Sequence, residues 1–205
     1  AMPIVIETHY LPGIAYFKSL VNTEKILIER KEYFVKQSYR SRCYINTEHG
    51  RDVLLLPVTN KTGKTIIDSV RIDYNQKWLN NHWRTIQSAY ANAPFFEFYA
   101  DDLHSILFTK NEFLFDLNVE LLTMCLKWLG INAKLEETSQ YEIHYGENFK
   151  DLRNVFTPKN QPVEETFYPK ATYTQVFGNN FVKPLSLLDL IFCQGPQAKA
   201  YLQAE

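Results

Sequence analysis

The hydrophobic period of this chain shifts from strand-like to helical near residue 75, and that shift does most to narrow its fold. Before it, apolar residues come in strand-length runs: Ile4 to Glu7, Lys25 to Glu29, Tyr39 to Ile45, Asp52 to Leu56, and Ile66 to Ile72 after a Lys61-Thr62-Gly63 turn. Thr47-Glu48-His49-Gly50 joins the third and fourth runs as a hairpin, and a single helix, Ile14 to Val21, starts just past Pro12-Gly13. After it, the spacing is helical. Leu79, Trp83, Ile86 and Tyr90 form one stripe, with Asn75 placed to cap it, and Pro94 suits the start of a helix reaching Leu107. Leu114, Leu117, Leu121, Met124 and Trp128 form another, stopped by Gly130. Thr157 to Pro169 reads as a surface loop, and Leu185 to Phe192 and Pro196 to Leu202 as closing helices. The expectation is a single α/β or α+β domain over residues 2–205, with Ala1 a cloning remnant. Its mixed sheet is built from the first 72 residues and the 134–182 region, covered by the central and C-terminal helices.

Composition excludes several classes of function. Lys and Arg number 22 against 23 Asp and Glu, so the basic surplus of a nucleic-acid binder is missing. The 7 glycines are spread so that the nearest two, Gly50 and Gly63, stand 13 positions apart. A phosphate-cradling loop needs several glycines within a few residues, so neither a P-loop nor a dinucleotide fingerprint can be written, and no cofactor is implied. Cys43, Cys125 and Cys193 form no CxxC pair and suit a reducing compartment. No metal-ligand spacing occurs, and the opening Met2-Pro3-Ile4-Val5-Ile6 has neither a basic leader nor a spanning apolar stretch. A cytoplasmic protein without membrane or metal is expected.

The polar-aromatic stretch Tyr33 to Arg42 places Lys36, Arg40 and Arg42 near Tyr39. On a strand, Arg40 and Arg42 share one face about 7 Å apart, a spacing that suits a phosphate or carboxylate. The plainer reading is a solvated face whose arginines pair with Glu7, Glu29 or Asp73. His82, one turn past Trp78, can serve as general acid or base, or as an interfacial histidine bonded to a neighbouring loop. His9 follows the first strand, where Glu7 can orient its imidazole. Cys43 beside Arg42 is either a thiolate nucleophile served by His9 or His82, or a small buried hydrophobe.

Tyr10-Leu11-Pro12 and Tyr16-Phe17, Tyr39-x-x-Arg42, Leu54-Leu55-Leu56-Pro57-Val58 and Trp78…His82…Tyr90…Ala93-Pro94-Phe95-Phe96 follow one another in an order that resembles the WbqC-like family of bacterial proteins. Tyr173-x-Gln175-x-Phe177, Phe181, Leu185 to Phe192 and Gly195-Pro196 extend the resemblance to almost the whole chain. It implies a cytoplasmic role in surface-polysaccharide precursor assembly, acting on a nucleotide-linked sugar. One departure stands out. The family opening, close to His-Gln-Pro-x-Tyr-Leu-Pro-Trp, puts Ile6 at the histidine, Glu7 at the glutamine and Gly13 at the tryptophan.

The expected site lies where the first strand ends against the Arg40/Arg42 strand and the start of the 76–92 helix. His82, Arg42 and Glu7 are its catalytic candidates; Tyr10, Lys36, Tyr39, Arg40 and Trp78 are its binding candidates, with Tyr10 and Trp78 as flat surfaces for a ring. The expected partner is a small anionic or sugar-nucleotide ligand. The expected function is a transferase moving an acyl, aminoacyl or similar group onto a sugar precursor. The alternatives are a non-catalytic ligand-binding or scaffold protein and a Cys43-dependent hydrolase or transferase.

Overall fold

The structure is a computed structural model that describes residues 2–59, 64–159 and 161–205, so the Lys61-Thr62-Gly63 turn lies outside the described residues. In chain order the elements are β1 (Ile4–Ile6), α1 (Ile14–Leu20), β2 (Lys25–Ile28), β3 (Arg42–Thr47), β4 (Gly50–Leu55), α2 (Trp78–Tyr90), α3 (Phe96–Leu107) and α4 (Leu114–Leu129). Then come β5 (Lys134–Glu137), β6 (Lys150–Asp151), α5 (Gln161–Thr166), α6 (Leu187–Gln194) and α7 (Ala198–Gln203). The α/β class holds, but the mixed sheet separates into two. A four-stranded sheet ordered β5-β2-β1-β6 is parallel throughout, and β3 and β4 pair antiparallel as a sheet of their own.

Strand β1 is central, and Ile4, Val5 and Ile6 are all buried, because a parallel strand is covered on both faces. From β1 the chain moves to β2 and β5 on one side and returns to β6 on the other. That reversal makes the carboxyl ends of β1 and β6 the crevice where open α/β sheets bind ligands. Helix α4 ends as its sequence predicts. Gly130 takes φ 68°, its amide donates to Lys127 O at 3.0 Å, and the Ile131 amide donates to Leu126 O at 2.9 Å, so the last carbonyls are satisfied.

Four local expectations differ. Ile66 to Ile72 is a 3₁₀ turn at Ile67–Ser69, because Asp68 turns to accept from Arg30 and Lys31 while Ile67 is buried. The third strand begins at Arg42, not Tyr39. The Ser38 hydroxyl donates to Val35 O and the Ser41 amide to Ser38 O, which closes a turn through Arg40. Within Thr157 to Pro169 lies α5, whose early Pro162 is tolerated because first-turn amides need no helical partner. Asn75 does not cap α2; the N-cap is Lys77, with no side-chain hydrogen bond.

Candidate functional site

Between the open end of the hairpin and the start of α2 lies a cavity of about 660 Å³, a volume suited to a small organic ligand. Among the described residues, Lys36, Arg42 and Lys77 line it and no carboxylate does. Among the described residues none of the three is in an ion pair, and the buried Arg42 Nε has no hydrogen-bond partner. Gln76, Lys77, Trp78 and Asn81 bring the first turn of α2 to the cavity. That turn has no acidic residue and no side-chain cap, so its amides and the helix dipole add to the positive field. Trp78 is 5% exposed, and its buried Nε1–H also has no partner among the described residues.

Behind Trp78 stands a hydrogen-bonded chain. His82 Nε2 lies 2.9 Å from Leu55 O, which can only accept, so Nε2 carries the proton. Nδ1 then accepts from the Tyr10 hydroxyl at 2.8 Å. Burial pulls the His82 imidazole down to about 4 against the pull of Leu55 O, so it is neutral at physiological pH with both nitrogens occupied. The geometry is that of an interfacial histidine. Tyr10 is fully buried and meets Trp78 edge-on at 6.4 Å, so it offers no face to the cavity.

Two more of the expected residues, Glu7 and Arg40, gather at the carboxyl edge of the parallel sheet. Glu7, directly after β1, is fully buried. It accepts from His9 Nε2 at 2.7 Å and from the Asn154 amide, just past β6, at 2.9 Å. Burial opposes its ionisation, yet the bond and charge of His9, the charge of Arg40 and the Asn154 amide prevail and bring the carboxyl to about 2. Arg40 is 1% exposed and forks onto Glu32 through Nε at 2.8 Å and Nη2 at 2.6 Å, with Nη2 also donating to Asn154. Because Arg40 lies in a turn before the strand, it points into this cluster and does not share a clamp with Arg42. A strained turn ties the two regions together. Leu11 takes φ 46°, held by Tyr10 N to Tyr39 O at 2.9 Å and Leu187 N to Pro12 O at 2.8 Å.

Tyr39 faces elsewhere, donating to Glu164 Oε2 at 3.0 Å. Glu164, on α5, is 4% exposed, and burial lifts its carboxyl to about 7 despite the bond from Tyr39 and the charge of Arg51. Sequence reasoning missed Glu164 because its segment carries Pro158, Pro162 and Pro169 and reads as loop. Cys43 is 2% exposed and burial pushes its thiol well up, which disfavours the thiolate a nucleophilic role requires. Of the eight expected site residues, the structure brings Lys36, Arg42 and Trp78 to one cavity, with Tyr10 and His82 behind it. Glu7 and Arg40 lie at the sheet edge, and Tyr39 lies under α5. Lys77 and Asn81 were not foreseen, although their helical spacing from Trp78 and His82 was visible.

Among the described residues, no helix is long and apolar enough to cross a membrane, and no group of three or more His, Cys, Asp or Glu is placed to hold a metal ion. Fold and cavity together define a parallel α/β domain with an unopposed cationic pocket beside its antiparallel hairpin. The chain belongs to the WbqC-like protein family, whose match runs over residues 8–157 and so includes every cation of the pocket. It is also similar to "Uncharacterized protein Rv1507c" of Mycobacterium tuberculosis (strain ATCC 25618 / H37Rv), 26% identical over 230 residues and covering 97% of this chain and 96% of the relative. No solved structure matches it significantly.

Proposed function

We propose that the chain binds a phosphate-bearing small molecule of the nucleotide-sugar class in the cationic pocket. It then transfers an acyl or aminoacyl group onto the sugar, in cytoplasmic assembly of surface-polysaccharide precursors. The observation that carries the reading is Lys36, Arg42 and Lys77 facing one cavity without a counter-charge, at an uncapped helix start. Arg42 supplies the planar fork that suits phosphate oxygens, and the two lysines add point charge. In the transfer, a sugar hydroxyl or amine attacks the acyl carbon of an activated donor. The new bond forms as the donor's leaving group departs with its electron pair, and that group takes up the proton. The cations stabilise the negative charge that develops. His82 acts as a positioning residue, holding Tyr10 and the Leu55 carbonyl behind Trp78.

One observation favours a second reading, a non-catalytic binding protein: the cavity lining contains neither a carboxylate nor a histidine. Thermal shift against a panel of nucleoside diphosphates and their sugars, followed by mass spectrometry of incubations with acyl and aminoacyl donors, separates the two. A shift plus a mass-increased sugar supports the transferase. A shift without product supports binding alone, and no shift with any anion removes both.

A further inference from the structure

A second cavity, about 490 Å³, borders the same helix further along and is lined by Glu48, Asp52, Arg84, Thr85 and Ser88 among others. Lys77 and Asn81 line the first cavity, Arg84 and Ser88 the second. These four positions step by four, three and four residues, so they form one stripe on α2, about 16 Å long at 1.5 Å per residue. The hairpin spans the same distance. Arg42 opposes Leu55 at its open end and Thr47 opposes Gly50 at its turn, five residues or about 16 Å along a strand. His82 bonded to Leu55 O and the Tyr90 hydroxyl accepting from the Asn46 amide at 3.2 Å hold the helix along the hairpin between these ends. The two cavities therefore flank the same helix–hairpin seam, one toward each end.

Their chemistry differs. Among the described residues the first presents three cations and no carboxylate; the second presents Glu48 and Asp52, with Arg84 as its fixed cation and His49 within 3.3 Å of Glu48, and the hydroxyls of Thr47, Thr85 and Ser88. Carboxylates repel a phosphate but accept well from neutral hydroxyls, so the second compartment suits a polyol. We infer that the two cavities work as one groove and that the second is its sugar subsite, taking a neutral hexose whose phosphates sit among Lys36, Arg42 and Lys77. The inference rests on the anion-site reading above and adds a direction to it: the nucleotide-phosphate end lies at the start of α2 and the sugar lies toward the hairpin turn. It also sets a preference, because Glu48 and Asp52 disfavour an acidic sugar.

The test is calorimetry with UDP, UDP-glucose, UDP-galactose, UDP-N-acetylglucosamine and UDP-glucuronate on the full chain. At least one neutral UDP-hexose is expected to bind about tenfold more tightly than UDP, the effect of one or two good hydrogen bonds, and UDP-glucuronate no more tightly than UDP. Asp52→Asn, which keeps the oxygen accepting from the Val53 amide, and Ser88→Ala, at an exposed position, should each shrink that advantage while leaving UDP affinity unchanged. If UDP binds and Arg42→Ala weakens it, but no hexose improves on UDP or both variants act equally on UDP and UDP-hexose, the sugar subsite is refuted and the anion site stands. If UDP does not bind, or binds regardless of Arg42, the anion-site reading falls and the subsite with it.

Discussion

Tyr10 donates its hydroxyl to His82 Nδ1 at 2.8 Å across 72 positions of chain, joining the residue just past the central strand to the helix that borders the cationic pocket. In this direction the bond belongs to the neutral imidazole, in which Nε2 donates to Leu55 O and Nδ1 is left to accept. Burial favours that neutral form.

Stability should reflect this. The His82 pKa falls from 6.5 in the unfolded chain to about 4 in the fold through burial, so the unfolded state takes up the proton first as pH drops. The contribution of His82 is complete above pH 6.5 and is lost as pH falls toward 4, in total roughly 3 kcal/mol at 1.36 kcal/mol per unit. Urea unfolding of wild type and His82→Gln at pH 7.5 and pH 4.5 checks it. The wild type should lose more stability than the variant over that interval, and equal losses would contradict the assignment.

Glu164 has the opposite sign. Burial raises its folded pKa from 4.5 to about 7, so the fold holds the proton longer than the unfolded chain, and stability falls as pH rises from 4.5 to 7. Glu164→Gln keeps an acceptor for Tyr39 and removes the charge. Relative to wild type it should gain about 2 kcal/mol between pH 5 and pH 8. A pH-independent difference would count against a buried, near-neutral carboxyl.

Glu7 is structural in its present surroundings. Removing it leaves His9 and the Asn154 amide without their acceptor and Arg40 without a neighbouring charge. Glu7→Ala should cost at least about 2 kcal/mol, because buried donors lose their acceptor. Because its pKa is depressed to about 2, its contribution is full above pH 4.5 and declines as pH falls toward 2. A loss below 1 kcal/mol in urea unfolding at pH 7 would show that the cluster at the sheet edge is not what Glu7 supports.

Cys43 should be inert in the folded protein. It is buried with a raised pKa, so an aromatic disulfide reagent should label it only after denaturant is added. Rapid labelling of Cys43 under native conditions, located by mass spectrometry, would revive a thiol mechanism.

The fold was legible wherever hydrophobic period and punctuation agreed. The Leu114 to Trp128 stripe with Gly130 behind it is α4, and the short run at Ile4 is the central strand β1. Expectation failed where side-chain hydrogen bonds overrode pattern. Ser38 turns the chain through Arg40 before the strand begins, and Asp68 curls Ile66 to Ile72 into a 3₁₀ turn. The site was legible in part for the same reason. Lys36, Arg42 and Trp78 reach the pocket along regular elements or next to them, whereas Arg40 and Glu7 are joined through Asn154, more than a hundred positions away. No local spacing signals such a partner. The burial of Tyr10 was likewise invisible, since a tyrosine beside a proline reads equally as platform or core.

Lys36, Arg42 and Lys77 together make the proposed anion site. Calorimetric titration of UDP into wild type and into Arg42→Ala at one fixed salt concentration tests it most directly. The Arg42 side chain is in no ion pair and its Nε has no hydrogen-bond partner among the described residues, so its truncation should leave the melting temperature unchanged. Affinity should fall at least about tenfold, in keeping with the loss of a charged hydrogen-bonding fork. UDP binding equally well to both proteins, or not at all to the wild type, would contradict the account.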